Sequence, residues 1–284
     1  MKKLIINADE FGLTEGTNRA IAKAYQFGTV TSATIIVNQW AFDDAILISK
    51  QNPGLGVGIH LNITDGRPIL PLNEVISLVD ATGYFYNRYN LMMRLTLGRI
   101  NLSEVENELM TQVNKLTSRG INPTHIDDHQ GIILHPIIFN IVTQIAYKLN
   151  IPIRIPQANL SLLNGRWIRR IASYLICNSY RKLLKRKKIN TTDFFYKVTN
   201  FYHDRLHYES SLINLYASLL LRISEGTSEL MVHPSYMDER LIRFMDGSET
   251  MASQRVEEMK VLLNPRLKEM LTEAGIKLTH FGEL

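Results

Sequence analysis

Short, β-branched apolar runs alternate with longer amphipathic stretches through the first half of the chain, and few folds accept that order. Each run is too short for a helix and mostly apolar, as a strand buried on both faces tends to be. Each longer stretch repeats its apolar residues at helical spacing. Together they read as β-α units around a parallel sheet or barrel. Leu4 to Ala8 is a predicted strand, Asn18 to Phe27 a helix ended by Gly28, and Ala33 to Val37 a second strand. Phe42 to Lys50 is helical and stops at Asn52-Pro53-Gly54, and Gly56 to Leu61 is a third strand. Ser103 and Glu106 have capping-box spacing for a helix that runs to Arg119. Thr124 to Asp127 is the fourth strand, Pro136 to Leu149 a helix, and Ile151 to Ile155 a short strand bracketed by prolines. Glu229 to Val232 and Lys277 to His280 add two strands, with helices over Glu249 to Leu263 and Arg266 to Ala274. The expectation is one α/β domain over residues 1–284, of about seven units, with a mostly helical elaboration at about 157–224.

The bulk properties remove several function classes. The apolar run after Met1-Lys2-Lys3 is too short for a signal-peptide core, and no stretch has the length of a membrane span. The single cysteine, Cys177, cannot close a disulfide within the chain, so a reducing cytoplasm is the expected location. The net charge of +5 is concentrated between Arg166 and Lys188, which carries no acid. No nucleic-acid motif accompanies it. A solvated helical face is the plain reading of 166–188. The sharper one is contact with an anionic membrane surface or a lipid-linked glycan. The irregular helical insert leaves room for a homodimer.

In parallel α/β folds, chemistry gathers where strands end, because the loops there converge on one face. The first strand ends in Asn7-Ala8-Asp9-Glu10, the third in His60-Leu61-Asn62, and the fourth in His125-Ile126-Asp127-Asp128-His129. One carboxylate and two imidazoles delivered this way make a two-histidine, one-carboxylate metal site with open positions for water and substrate. A second carboxylate, from the Asp9-Glu10 pair, would take a proton from the attacking water. The strand Glu229 to Val232 ends on His233, a candidate acid for the leaving group. Singly, each of these is more often a solvated turn or a satisfied histidine; their shared placement favours function.

The string Asn-Ala-Asp-Glu-Phe-Gly-Leu from Asn7, with Val-Thr-Ser-Ala-Thr from Val30, resembles the YdjC-like (ChbG) carbohydrate deacetylase family. Gly58-Ile59-His60-Leu61-Asn62, Thr124 to His129, Ile153-Arg154-Ile155-Pro156 and Met231-Val232-His233-Pro234 follow in that family's order. The resemblance implies a distorted parallel (β/α) barrel related to polysaccharide deacetylases, and removal of N-acetyl groups from chitobiose-like or other short N-acetylated glycans. It implies one divalent metal, often magnesium, although two imidazoles suit zinc, manganese or cobalt equally well. Carried over, the metal ligands are Glu10, His60 and His129, the base Asp9 and the acid His233. Arg154 would orient a catalytic carboxylate or bind substrate. Tyr236 is a candidate for lining the sugar cleft, and His125 and Asp127 for orienting the ligands. The family commonly has Asp where Glu10 stands, and neighbouring strand residues face opposite ways, so Asp9 and Glu10 share a site only if the chain turns there. Which is ligand and which is base stays open. The alternatives are another metal-dependent amidohydrolase, or a sugar- or metal-binding protein that kept the fold without activity.

Overall fold

The computed structural model describes residues 1–156, 167–198 and 209–284. In chain order the strands are β1 (Lys2–Phe11), β2 (Ser32–Ile35), β3 (Gly56–Leu61), β4 (Ile126–Asp128), β5 (Phe194–Lys197), β6 (Gly226–Val232) and β7 (Ile276–Leu278). The α-helices are α1 (Glu15–Gln26), α2 (Phe42–Gln51), α3 (Arg88–Thr96), α4 (Leu102–Ser118), α5 (Pro136–Leu149), α6 (Trp167–Arg186), α7 (Glu209–Leu220), α8 (Glu239–Phe244), α9 (Glu249–Leu263) and α10 (Pro265–Glu273). The fold is parallel α/β, of the distorted (β/α) barrel class. It divides into two compact units, Met1–Ile35 with Trp40–Val57 and Thr192–Leu284, and Ile36–Gln39 with Gly58–Thr191.

In the first unit β1 is the axis. It pairs in parallel with β2, β6 and β7, and β6 pairs in parallel with β5. Leu4, Ile5, Ile6 and Ala8 are fully buried, as a strand with neighbours on both sides and helices over its faces requires. Ala8 of β1 stands beside Val232 of β6, so the residues that follow, Asp9 and His233, emerge at the same level. In the second unit β3 pairs in parallel with β4, placing His60 beside Asp127 and Leu61 beside Asp128. Both registers put the chemistry-bearing residues at the carboxyl ends of their strands.

Punctuation sets the element ends. Thr14 caps α1 by accepting the Thr17 N–H, so the helix opens at Glu15 rather than at Asn18. Pro136 opens α5 and Asn150 closes it in the left-handed conformation. Three expectations need correction. The cap of α4 is Asn101, whose side chain accepts the Ser103 N–H; Ser103 lies in the first turn, and Ser103 with Glu106 forms no capping box. Residues 151–155 form no strand but a single bridge, Ile126 to Ile153, because Pro152 and Pro156 have no N–H to give a ladder. The stretch 157–224, read as mostly helical, also holds β5, whose four residues pair with β6.

Of the basic segment 166–188, residue 166 lies outside the described residues. On α6, Ile171, Leu175, Ile176 and Leu183 are exposed, and Lys182, Lys185 and Arg186 are exposed near its end. Among the described residues no helix is long and apolar enough to cross a membrane.

Candidate active site

At the end of β1 the chain turns where a shared site requires it to. Glu10 has φ +64°, a left-handed conformation that a non-glycine side chain adopts at a cost, and the register with β2 shifts between Ala8 and Phe11. This bulge breaks the alternation of the strand, and Asp9 and Glu10 are both buried. Each carboxylate has its own restraint. Asn7 Nδ2 donates to Asp9 Oδ1 at 2.9 Å and also reaches Thr34 Oγ1 at 3.3 Å. Glu10 is gripped by the guanidinium of Arg255 from α9. His233, at the end of β6, brings its Nε2 to 3.9 Å from Asp9 Oδ2, and its side chain is 18% exposed. Of these groups it is the one open enough to meet a substrate and exchange a proton with it.

Behind His233 lies a further buried carboxylate. Glu258 of α9 accepts the His233 main-chain N–H at 2.6 Å and the Tyr216 hydroxyl at 3.0 Å. Burial pushes its pKa up, while the charge of His233 pulls it down. Arg255 and Glu258 are three apart on one helix, so they share the face that α9 turns inward.

The second unit presents imidazoles. His60 Nδ1 bonds Asp127 Oδ1 at 2.7 Å, and Arg154 Nη1 holds the other oxygen of Asp127 at 2.8 Å. All three are buried. This chain of contacts fixes the ring and tautomer of His60 and leaves Nε2 as its outward nitrogen, the arrangement that metal-binding histidines have. That Nε2 lies 3.3 Å from His129 Nδ1, with the rings edge to face at 67°. Two nitrogens bound to one ion at about 2.0–2.1 Å stand roughly 3–3.4 Å apart, depending on its geometry. The pair therefore fits a single divalent cation. His129 is presented by a sharp turn, with Gln130 at φ +60° and Gly131 at φ +71° directly after it. Beside it, Asp128 accepts the Ile133 N–H at 3.2 Å. Burial, with Asp127 alongside, pushes its carboxyl up to about 7.

Arg154 thus holds the carboxylate of Asp127. His125 points at β3: a Cβ on Gly58 would stand 2.4 Å from its Cε1, so the ring occupies the space that only glycine leaves. Its Nδ1 is 3.0 Å from Thr124 Oγ1. Tyr236 sets its ring against α1, with Arg19 at 5.5 Å and Lys23 at 6.0 Å from its centroid. Sequence reasoning missed Asn7, Arg255 and Glu258. The signal for the last two was present, because with Ala252 and Leu262 they continue a stripe of inward spacing on which an ionisable residue is out of place.

Residues 3–273 match the family described as YdjC-like protein. A carbohydrate deacetylase of Geobacillus stearothermophilus is 34% identical over 280 residues, covering 98% of this chain and 96% of the relative. A chitooligosaccharide deacetylase of Yersinia enterocolitica is 31% identical over 286 residues, covering 99% of each. Among solved structures, a proposed cellobiose-phosphate cleavage protein of Enterococcus faecalis superposes with TM-score 0.78 at 28% identity, covering 99% of this chain and 98% of that one.

Proposed function

The chain belongs to the YdjC-like protein family, and on that premise we propose that it is a carbohydrate deacetylase that hydrolyses the acetamide of short N-acetylated oligosaccharides, chitooligosaccharides among them. The observation that carries the reading is the pair of facing imidazole nitrogens, 3.3 Å apart, with His60 backed by Asp127 and Arg154. Such a pair suits a divalent cation held through His60 Nε2 and His129 Nδ1. When bound, that ion polarises the amide carbonyl and lowers the pKa of water from about 16 toward about 7.

The residues of the chain do the rest. Asp9, kept in orientation by Asn7, accepts the proton of the attacking water. His233, its Nε2 3.9 Å from that carboxylate, donates a proton to the departing sugar amine. Arg255 holds the Glu10 carboxylate in place. Magnesium is the ion common in the family, and zinc, manganese and cobalt suit imidazole donors as well.

The test is release of acetate and free amine from diacetylchitobiose and a panel of other N-acetylated sugars, with and without chelator. Equal amounts of both products, lost with chelation, are expected. Absence of acetate across the panel would overturn the reading in favour of a non-catalytic sugar- or metal-binding protein. The exposed apolar and basic side chains of α6 favour the anionic-surface reading of 166–188. Salt-sensitive sedimentation with anionic vesicles tests it, and sedimentation that ignores lipid charge would end it.

A further inference from the structure

The carboxyl ends of α5 and α6 flank a cavity of about 660 Å³ in the second unit, a size in the range of small-molecule sites. Arg186, Lys187 and Lys188 line it, and no acid does. Among the described residues no carboxylate pairs with these three cations, whereas Arg240, Lys260 and Arg266 elsewhere on the surface each hold one. Two helix ends favour positive charge by roughly half an elementary charge each, so three cations exceed what the dipoles draw. The last carbonyls are also occupied within the chain: Ala146 O accepts the Ile151 N–H at 3.2 Å, and Leu184 O and Lys185 O accept the Ile189 and Lys188 N–H groups at 3.0 and 3.2 Å. Those bonds engage the N–H groups of the same turns, so an anion here is held by side chains.

The rest of the wall sets the shape of the ligand. Ala146 and Ile189 are buried and give an apolar floor, and Tyr147, 68% exposed, offers a ring for stacking. An anion that carries a ring satisfies both features, and a bare ion satisfies one. The cavity is remote from the histidines. Ile153 bridges Ile126 in parallel; beyond Ile126 the chain continues to Asp127 and His129, whereas Pro152 of the cavity wall precedes Ile153. Cavity and histidines therefore lie at opposite edges of the second unit's strands.

We infer that this cavity binds a phosphate monoester carried on a sugar or polyol ring, with the phosphate on Arg186, Lys187 and Lys188 and the ring against Tyr147. Free sugar phosphates and phosphorylated lipid head groups share that chemistry. The inference stands apart from the deacetylase reading, since it uses none of that site's residues.

The test is calorimetric titration of the full chain with glucose 6-phosphate and with inorganic phosphate at a physiological salt concentration. Arg186→Ala/Lys188→Ala should weaken glucose 6-phosphate binding at least about tenfold. Lys182→Ala/Lys185→Ala removes the same charge from exposed positions of α6 outside the cavity and should leave binding unchanged. Tyr147→Ala should weaken glucose 6-phosphate about fivefold and leave inorganic phosphate as it was. All five positions are exposed, so each variant should melt like wild type. No binding by wild type overturns the inference, and so does equal weakening in the two double variants, the mark of a diffuse basic surface. Undiminished glucose 6-phosphate binding in Tyr147→Ala overturns the place given to the ring. Sedimentation with phosphatidylcholine vesicles containing phosphatidylinositol 4-phosphate separates the sources. Co-sedimentation lost only in Arg186→Ala/Lys188→Ala assigns the cavity to a lipid head group; any other result, with glucose 6-phosphate bound, assigns it to a free sugar phosphate. A wild type that binds glucose 6-phosphate but releases no acetate defeats the deacetylase reading alone.

Discussion

The two compact units carry opposite kinds of site chemistry. The first gathers acids, Asp9, Glu10 and Glu258, and restrains them with Asn7, Arg255 and Tyr216, leaving His233 as its partly open imidazole. The second gathers imidazoles, His60 and His129, and backs one of them with Asp127 and Arg154. Glu10 is held by a guanidinium and Asp9 by an amide, so each carboxylate has a set direction. An imidazole fixed by a carboxylate offers a lone pair in a set direction. The contrast is a division between donors: the second unit holds imidazoles in set directions, and the first holds carboxylates with one partly open imidazole.

The sharpest way to break that division is to remove the donors. His60→Ala and His129→Ala should each lose the bound metal and bring turnover to background, measured by elemental analysis and acetate release. Retention of metal by both would remove the second unit from the site. Next in size, Asp9→Asn and His233→Ala should retain metal and lose about 10²–10⁴-fold in kcat. If Asp9→Asn lost as much metal as His60→Ala, Asp9 rather than Glu10 would be the ligand, and the two roles would exchange. Asp127→Asn should weaken metal affinity by about 10–100-fold with its ligands intact, read by competition with a chelating dye. An unchanged affinity would reduce the Asp127–Arg154 pair to a structural role. The smallest effect is confined to stability. Gly58→Ala puts a Cβ 2.4 Å from the His125 ring and should cost about 1–3 kcal/mol in chemical denaturation. A neutral result would show that the ring is free to move.

Much of this was legible in the order of residue types. β3, α5 and α9 have the bounds that their glycine, proline and apolar spacing implied, and Asp9, His60, His129 and His233 lie at strand ends as the β-α pattern required. What stayed hidden depends on backbone geometry and on partners far away in the chain. No local pattern announces that Glu10 takes a left-handed conformation, since glutamate has no preference for it. A helix reading assigns charged residues no site role by itself, so Arg255 and Glu258 went unnamed, although their carboxylate and main-chain partners lie on β1 and after β6. The contact of Arg154 with Asp127 likewise joins residues too far apart in the chain for a local pattern to announce it.

The central claim is that one divalent ion on His60 and His129 is needed for deacetylation. A stoichiometric titration tests it most directly: metal-stripped protein receives increments of ion while acetate release from diacetylchitobiose is followed. The account predicts activity that rises linearly and breaks at about one ion per chain, with no rise in His60→Ala or His129→Ala. Full activity in the stripped protein, or a normal titration in both variants, would contradict it.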